Sequence, residues 1–254
     1  MKKGQRPRKK VVVILVEGPS ELRALSNVLS ALYDSIDPDY EVFFPNMIED
    51  GDEHWGDLTS KYGIVPEKIE MCIEKLYFHD FLQINKLYPK DITEIIHILD
   101  MDGAYIDDSC IQHKDNPLGL DKTYYAEDKI LTDNVPGIVE RNARKRANID
   151  YLCSLNKIKI GSKSIPYSAY FFSSNLDHFL YDEANVISGK EKVRLAEDFS
   201  MQYACDPDEF ITVIKETPGV LMNMTYDESW AFIRERGNHS LERHSNINQL
   251  FSRI

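Results

Sequence analysis

The sequence predicts an α/β fold: a mostly parallel sheet flanked by helices, with a helical C-terminal extension. Three observations point there. Residues 11–16 and 95–99 are short runs of aliphatic, largely β-branched side chains, interrupted only at His97, the pattern of strands buried on both faces. Between and after them apolar residues recur at three- and four-residue spacing, as on helices. Each run also stops abruptly in acid and glycine, at Glu17-Gly18 and at Asp100-Met101-Asp102-Gly103. Strands alternating with helices form layered, mainly parallel sheets.

Residues 1–10 are charged, carry Gly4 and Pro7, and read as a disordered basic tail. The strand over 11–16 opens an α/β domain that runs to about residue 180. Gly18-Pro19-Ser20 breaks it, and Leu22, Leu25, Val28, Leu29 and Leu32 then mark a helix to about Tyr33. Residues 40–44 form a second strand, stopped by Pro45. The acidic stretch 46–63, with Gly51, Gly56 and Gly63, reads as a loop. Pro66 opens a helix to about Phe78, and 94–99 is the next strand. Residues 103–135 are polar and weakly periodic, an excursion with little regular structure. Pro136 opens a helix to about Leu155, 167–172 is a further strand, and residues 181–254 form the helical extension. Its helices fall near 189–204, 207–216, 226–235 and 246–253, after a first one at 176–183.

With 254 residues, 43% of them hydrophobic, the chain is long enough for one sizeable core. No apolar run approaches the roughly 20 residues that cross a bilayer, and six apolar residues ending in Glu17 are too few for a signal peptide. The expected location is the cytoplasm. Cys72, Cys110, Cys153 and Cys205 are widely spaced, without CxxC pairs, and read as reduced thiols rather than a zinc site. The net charge is −12 although six basic side chains sit in the first ten residues, so the body of the chain is strongly acidic. That is unlike a simple nucleic-acid binder. It leaves a cation-loaded site or a surface facing a protein.

The two strand ends carry the chemistry. In parallel α/β sheets ligands bind in the crevice outside the carboxyl ends of the strands. Glu17 ends its strand there, and Glu21 falls in the first turn of the following helix. Asp100 and Asp102, at i and i+2 of an extended chain, share one face roughly 6–7 Å apart. Carboxylates gathered in one crevice repel and raise one another's pKa unless a cation neutralises them. Oxygen ligands with open positions suit Mg²⁺, or Mn²⁺ in its place. The bland alternative is a dipole-complementing Glu21, a solvated Glu17 and an Asp-Gly turn.

VVVILVEGPSE, followed about 80 residues later by IIHILDMDG, resembles the Toprim domain of topoisomerases, primases and OLD-type or RloB-like nucleases. The resemblance covers about residues 11–180 and implies a Toprim-like sheet. It implies that Glu17 holds metal or transfers protons, that Asp100 and Asp102 bind metal, and that Glu21 takes the second acidic position of the OLD-like branch. Asp177, after the 167–172 strand, is the loose match to a further acid; Asp107 and Asp108 read as solvated loop carboxylates. The expected activity is Mg²⁺-dependent hydrolysis of phosphodiester bonds in DNA or RNA, tRNA included, by an endonuclease. Without a separate tyrosine-bearing domain, water rather than a tyrosine is the expected nucleophile. Small Toprim proteins of this kind resemble effectors of bacterial antiphage defence held by an ATPase partner. This chain has no P-loop of its own, so such a sensor or regulatory protein, and a homo-oligomer, are the expected partners.

Substrate contacts are expected from two basic patches: Arg141, Arg144 and Lys145 on one helix face, and Arg234, Arg236 and Arg243 further on. Surface salt bridging to the acidic body would explain either equally well. His239 and His244 read as solvent-facing or hydrogen-bonded side chains rather than metal ligands. ILDMDGAYID also resembles the opening motif of haloacid-dehalogenase-type phosphatases, which would make Asp100 a nucleophile. A non-catalytic acidic interaction module is the third reading.

Overall fold

The computed structural model describes residues 9–49, 51–115, 123–185, 189–235 and 237–253. Arg236, one of the expected substrate contacts, and residues 1–8 of the expected tail lie outside them. Lys10 already belongs to the first strand, and Lys9 pairs with Glu41 across to the second.

Strand β1 (Lys10–Leu15) is followed by α1 (Pro19–Ile36), capped by Gly18 in extended conformation with Pro19 at its first position. Then come β2 (Tyr40–Phe43) and a short antiparallel hairpin, β3 (Met47–Glu49) and β4 (Asp52–His54), inside the stretch expected to be a loop. The helix opened by Pro66 is longer than its pattern suggests. It runs from α2 (Pro66–Ile73) through a π-helical turn at Glu74–Phe78 into α3 (His79–Ile84). Strand β5 (Ile92–Asp100) leads to the 103–135 excursion. That excursion is not structureless: β6 (Ile111–His113), β7 (Thr123–Tyr125) and β8 (Ile130–Thr132) form a small sheet, in the order β6-β8-β7. Three-residue strands carry too little alternation to be seen in sequence.

Helix α4 (Val135–Ser154), capped by the Asn134 side chain on Gly137 N–H, is followed by the hairpin β9 (Lys157–Ile160) and β10 (Lys163–Phe172). Helices α5 (Leu176–Tyr181), α6 (Gly189–Tyr203), α7 (Pro207–Glu216), α8 (Tyr226–Arg234) and α9 (Asn248–Phe251) complete the chain.

The main sheet has the order β2-β1-β5-β10-β9; its first four strands are parallel and β9 pairs antiparallel with β10. Alternation sends Val11, Val13 and Leu15 to one face, against α2, α3, α4 and Trp230 of α8. Val12, Ile14 and Val16 go to the other, against α1, α6, α7 and Phe251 of α9. The helical extension is therefore split across both faces. Its segment 237–246 crosses the carboxyl end of the sheet, where Ser245 bridges to Phe172 and Ser173 N–H donates to His244 O at 2.8 Å. No helix among the described residues is long and apolar enough to cross a membrane.

Candidate metal centre

Because β1, β5 and β10 are parallel neighbours, their carboxyl ends open on one edge. Glu17 leaves β1 and Asp100 ends β5, and the Asp100 N–H donates to Glu17 Oε1 at 3.2 Å. Beyond Asp100 the chain turns sharply: Asp102 (φ +49°) and Gly103 (φ +67°) both adopt the left-handed region. Aspartate tolerates this conformation and glycine has no steric cost there. The turn is held from all sides. Asp102 N–H donates to Ser174 O at 3.1 Å, and Gly103 N–H donates to Ser240 O at 3.0 Å. From α4, Arg141 donates to Asp102 O at 3.0 Å and Asn142 donates to Gly103 O at 3.2 Å.

A third carboxylate, Asp57, joins from the loop after β4. Its Oδ1 accepts from Thr59 N–H at 2.7 Å and Ser60 N–H at 3.2 Å, an Asx turn that leaves Oδ2 facing the crevice. Ligand oxygens of Glu17, Asp57 and Asp102 all lie within 4.8 Å of one another. Among them sits Lys145 of α4, with no solvent exposure. Its Nζ is 2.7 Å from Asp102, 2.8 Å from Asp57 and 3.7 Å from Glu17.

Glu21 also lines the crevice, and the charge of Asp177 lies close enough to act on it. Glu21 is buried in the first turn of α1 and folds back over Gly18, where a Cβ would lie 2.7 Å from its Oε2. Asp177, buried in α5, pairs with Lys192 of α6 at 2.6 Å. Glu17, Glu21, Asp57, Asp100, Asp102, Tyr125 and Lys192 line one open pocket of about 480 Å³. A larger groove, about 930 Å³ and mostly apolar, lies at the opposite edge of the sheet, near the β9–β10 turn; among its described lining residues Glu74 alone carries a carboxylate.

The electrostatics follow from burial. Desolvation and the Asp57 charge push Glu17 well above the usual carboxylate range, against the pull of Lys145. Desolvation, with Glu21 and Asp102 nearby, does the same to Asp100. Asp57 is also desolvated, yet Lys145 and its turn hydrogen bonds hold it down to about 2. Lys145 is raised well above its ordinary value, because the carboxylates outweigh its own desolvation. The site is thus over-supplied with negative charge, and the donor set is all oxygen. That fits a hard divalent cation.

Glu17, Glu21, Asp100, Asp102 and Asp177 therefore meet at one edge. The basic residues are placed otherwise. Lys145 belongs to the acidic cluster and Arg141 to its support, with a hydrogen bond to Tyr125 at 2.7 Å as well; neither is part of a solvated patch. Arg144 donates to Ser60 O at 2.8 Å and lies over the exposed Tyr62 ring. Arg234 pairs with Asp150 at 3.1 Å over Trp230, and Arg243 caps the carbonyls of Phe179 and Leu180. Asp107 and Asp108 lie away from the pocket, Asp107 capping a turn at Ser109 N–H and Asp108 facing Arg146. All four cysteines are free, three half-buried and Cys205 exposed.

Asp57 and Lys192 were not singled out from sequence. Asp57 is one acid among several in 46–63, and only the D-x-[ST] turn pattern sets it apart. Lys192 carries no local signal. Compared with known proteins, the chain matches no family model, no curated protein and no solved structure.

Proposed function

We propose that the protein is a Mg²⁺-dependent, Toprim-like nuclease that hydrolyses phosphodiester bonds in DNA or RNA, tRNA included. The observation that carries this is the meeting of Glu17, Asp57 and Asp102 within 4.8 Å at the carboxyl edge of parallel strands, with Asp100 hydrogen-bonded to Glu17.

Glu17, Asp57 and Asp102 would hold one cation; a second would draw on Asp100 and Glu21, which line the same pocket, while Asp177 is engaged by Lys192. Bound Mg²⁺ would polarise the scissile phosphate and acidify a water molecule. The chain's own part is defined by its side chains. Glu17, whose carboxylate is already oriented by the Asp100 N–H, would position the attacking water beside the ion it helps to hold. Lys145 and Lys192 supply fixed positive charge beside the place where a phosphate would collect negative charge. Arg141 keeps the Asp102 turn in place.

A phosphatase using Asp100 as nucleophile leaves Glu17, Asp57 and Glu21 without a task. A role in antiphage defence beside an ATPase sensor extends the nuclease reading. The test is incubation with plasmid DNA and with total tRNA, in Mg²⁺, Mn²⁺ or EDTA, alongside Glu17→Gln. Cleavage is expected with either metal, none in EDTA, and a rate at least about 100-fold lower for Glu17→Gln. Metal-independent cleavage, or release of phosphate from small monoesters with both nucleic acids intact, would sink the reading.

A further inference from the structure

A second constellation lies outside the acidic pocket, on the segment that crosses the sheet's carboxyl edge after α8. Glu242 Oε2 is 3.1 Å from His239 Nδ1 and 3.1 Å from His244 Nε2, and the three ligand atoms all lie within 4.8 Å of one another. In a tetrahedral zinc site, ligand atoms about 2.0–2.1 Å from the ion are roughly 3.3 Å from each other. The two histidine–glutamate spacings lie within a few tenths of an ångström of that, and an ion would draw together the two ring nitrogens, which lie within 4.8 Å of each other.

What distinguishes this group from an ordinary His–Glu contact is the far side of each ring. Metal-bound histidines characteristically donate the other ring N–H to a carboxylate or a backbone carbonyl, which fixes the tautomer and the ring plane. His244 Nδ1 has such a partner in Gly219 O at 3.4 Å, whereas His239 Nε2 has the Glu235 carboxylate only at ion-pair range, 3.9 Å. Phe232 fixes both rings as well: His239 stacks on it at 4.0 Å and His244 meets it edge-on at 5.0 Å. Both rings are thus oriented before any ion arrives, and Gly219 is tied in closely, since a Cβ there would collide with Arg243 O.

We propose that His239, Glu242 and His244 form a site for a transition-metal ion of the Zn²⁺ class, with water at the open position, which pins segment 237–246. Two imidazole nitrogens and one carboxylate suit Zn²⁺ and disfavour Mg²⁺. The pinned segment is the one that accepts from Gly103 N–H through Ser240 O and from Ser173 N–H through His244 O. The ion would therefore stiffen the support of the Asp102 turn without entering the acidic pocket. This inference is independent of the nuclease reading.

The test uses the full chain, stripped with chelator and desalted, then titrated with Co²⁺ or Zn²⁺ in excess Mg²⁺. One equivalent is expected to bind, with visible d–d bands for Co²⁺ and a rise in melting temperature for Zn²⁺. X-ray absorption of the Zn²⁺ complex should show two imidazole nitrogens. His239→Gln and His244→Gln should each weaken Zn²⁺ binding by at least about 10-fold, and Asp102→Asn should not. An all-oxygen shell, no bound equivalent, or binding lost in Asp102→Asn but kept in the histidine variants overturns the proposal. The absorption spectrum is taken on the unsubstituted chain, so the ligand set it reads is decisive even if a variant fails to fold.

Discussion

The ammonium of Lys145 lies 2.7 Å from Asp102 Oδ2 with no exposure to solvent, so a protein cation sits at the centre of the carboxylate cluster. One positive charge facing Asp102, Asp57 and Glu17 leaves the group under-neutralised. A divalent ion entering from the pocket side would complete the balance, and lysine and metal would share the same ligands.

Such sharing would link the two cations thermodynamically. Removing one partner of a buried ionic group costs about 3–5 kcal/mol, because the remaining charges stay buried and unpaired. Lys145→Met should therefore lower the melting temperature in EDTA by on the order of 10 °C for a chain of this size. Mg²⁺ should restore a larger part of that loss than it adds to the unsubstituted protein. Thermal melts with and without Mg²⁺ check it; a loss that Mg²⁺ leaves untouched would show that Lys145 is only packing.

Asp57 should matter to the cation as much as Asp102 does. Asp57→Asn and Asp102→Asn are each expected to weaken Mn²⁺ binding by about 10-fold or more, since each removes one carboxylate from a three-carboxylate group. Asp52→Asn, exposed on β4 in the same acidic stretch, is the control and should bind as before. Calorimetric titration reads all three. Equal affinity in Asp57→Asn would remove that residue from the centre.

How much of this was legible beforehand depends on the range of the interactions. Glu17, Asp100 and Asp102 could be placed together because they end adjacent parallel strands, and a buried apolar run announces such a strand within six or seven residues. Asp57, Lys145 and Lys192 reach the pocket through contacts between elements distant in sequence. Lys145 looked like one of a solvated row with Arg141 and Arg144; what buries it is a loop 88 residues upstream carrying Asp57, and no helical periodicity records that. The same holds for the fold: the long elements were visible, whereas β3, β4 and β6 to β8 have three residues each and exist through their partners. The splitting of the C-terminal helices over both faces was likewise a matter of tertiary packing.

His97, in the middle of β5, should give stability an acid limb of its own, set mainly by burial. It is fully buried, with Nδ1 3.0 Å from the Tyr167 hydroxyl, and desolvation lowers it to about 4. In the unfolded chain it titrates near 6.5. Between these values the unfolded state binds a proton that the folded state refuses, so stability falls as pH drops from about 6.5 to about 4. The loss amounts to on the order of 3 kcal/mol. Denaturant unfolding across that window should show it, and His97→Leu should flatten that part of the profile whatever it does to stability at neutral pH. An unchanged slope in His97→Leu would assign the acid limb to the carboxylates instead.

Two glycines that look alike in sequence, each following an acid of the pocket, should respond differently to alanine. At Gly18 the backbone is extended, φ −145°, which alanine adopts freely, and the only close neighbour of a new Cβ is the Glu21 carboxylate, at 2.7 Å. A flexible side chain can swing away, so Gly18→Ala should melt within a few degrees of the parent while displacing Glu21 from the pocket. A misplacement of about 1 Å in a catalytic group costs around 100-fold in rate. At Gly103 the conformation itself is left-handed, φ +67°, and a Cβ would press on Leu241 at 2.5 Å. Strain there adds about 1 kcal/mol or more, and Leu241 must repack. Gly103→Ala should thus lose stability and activity together, whereas Gly18→Ala should lose activity alone. Melting curves read beside Mg²⁺-dependent cleavage rates separate the two, and a Gly18→Ala protein with full activity would take Glu21 out of the reaction.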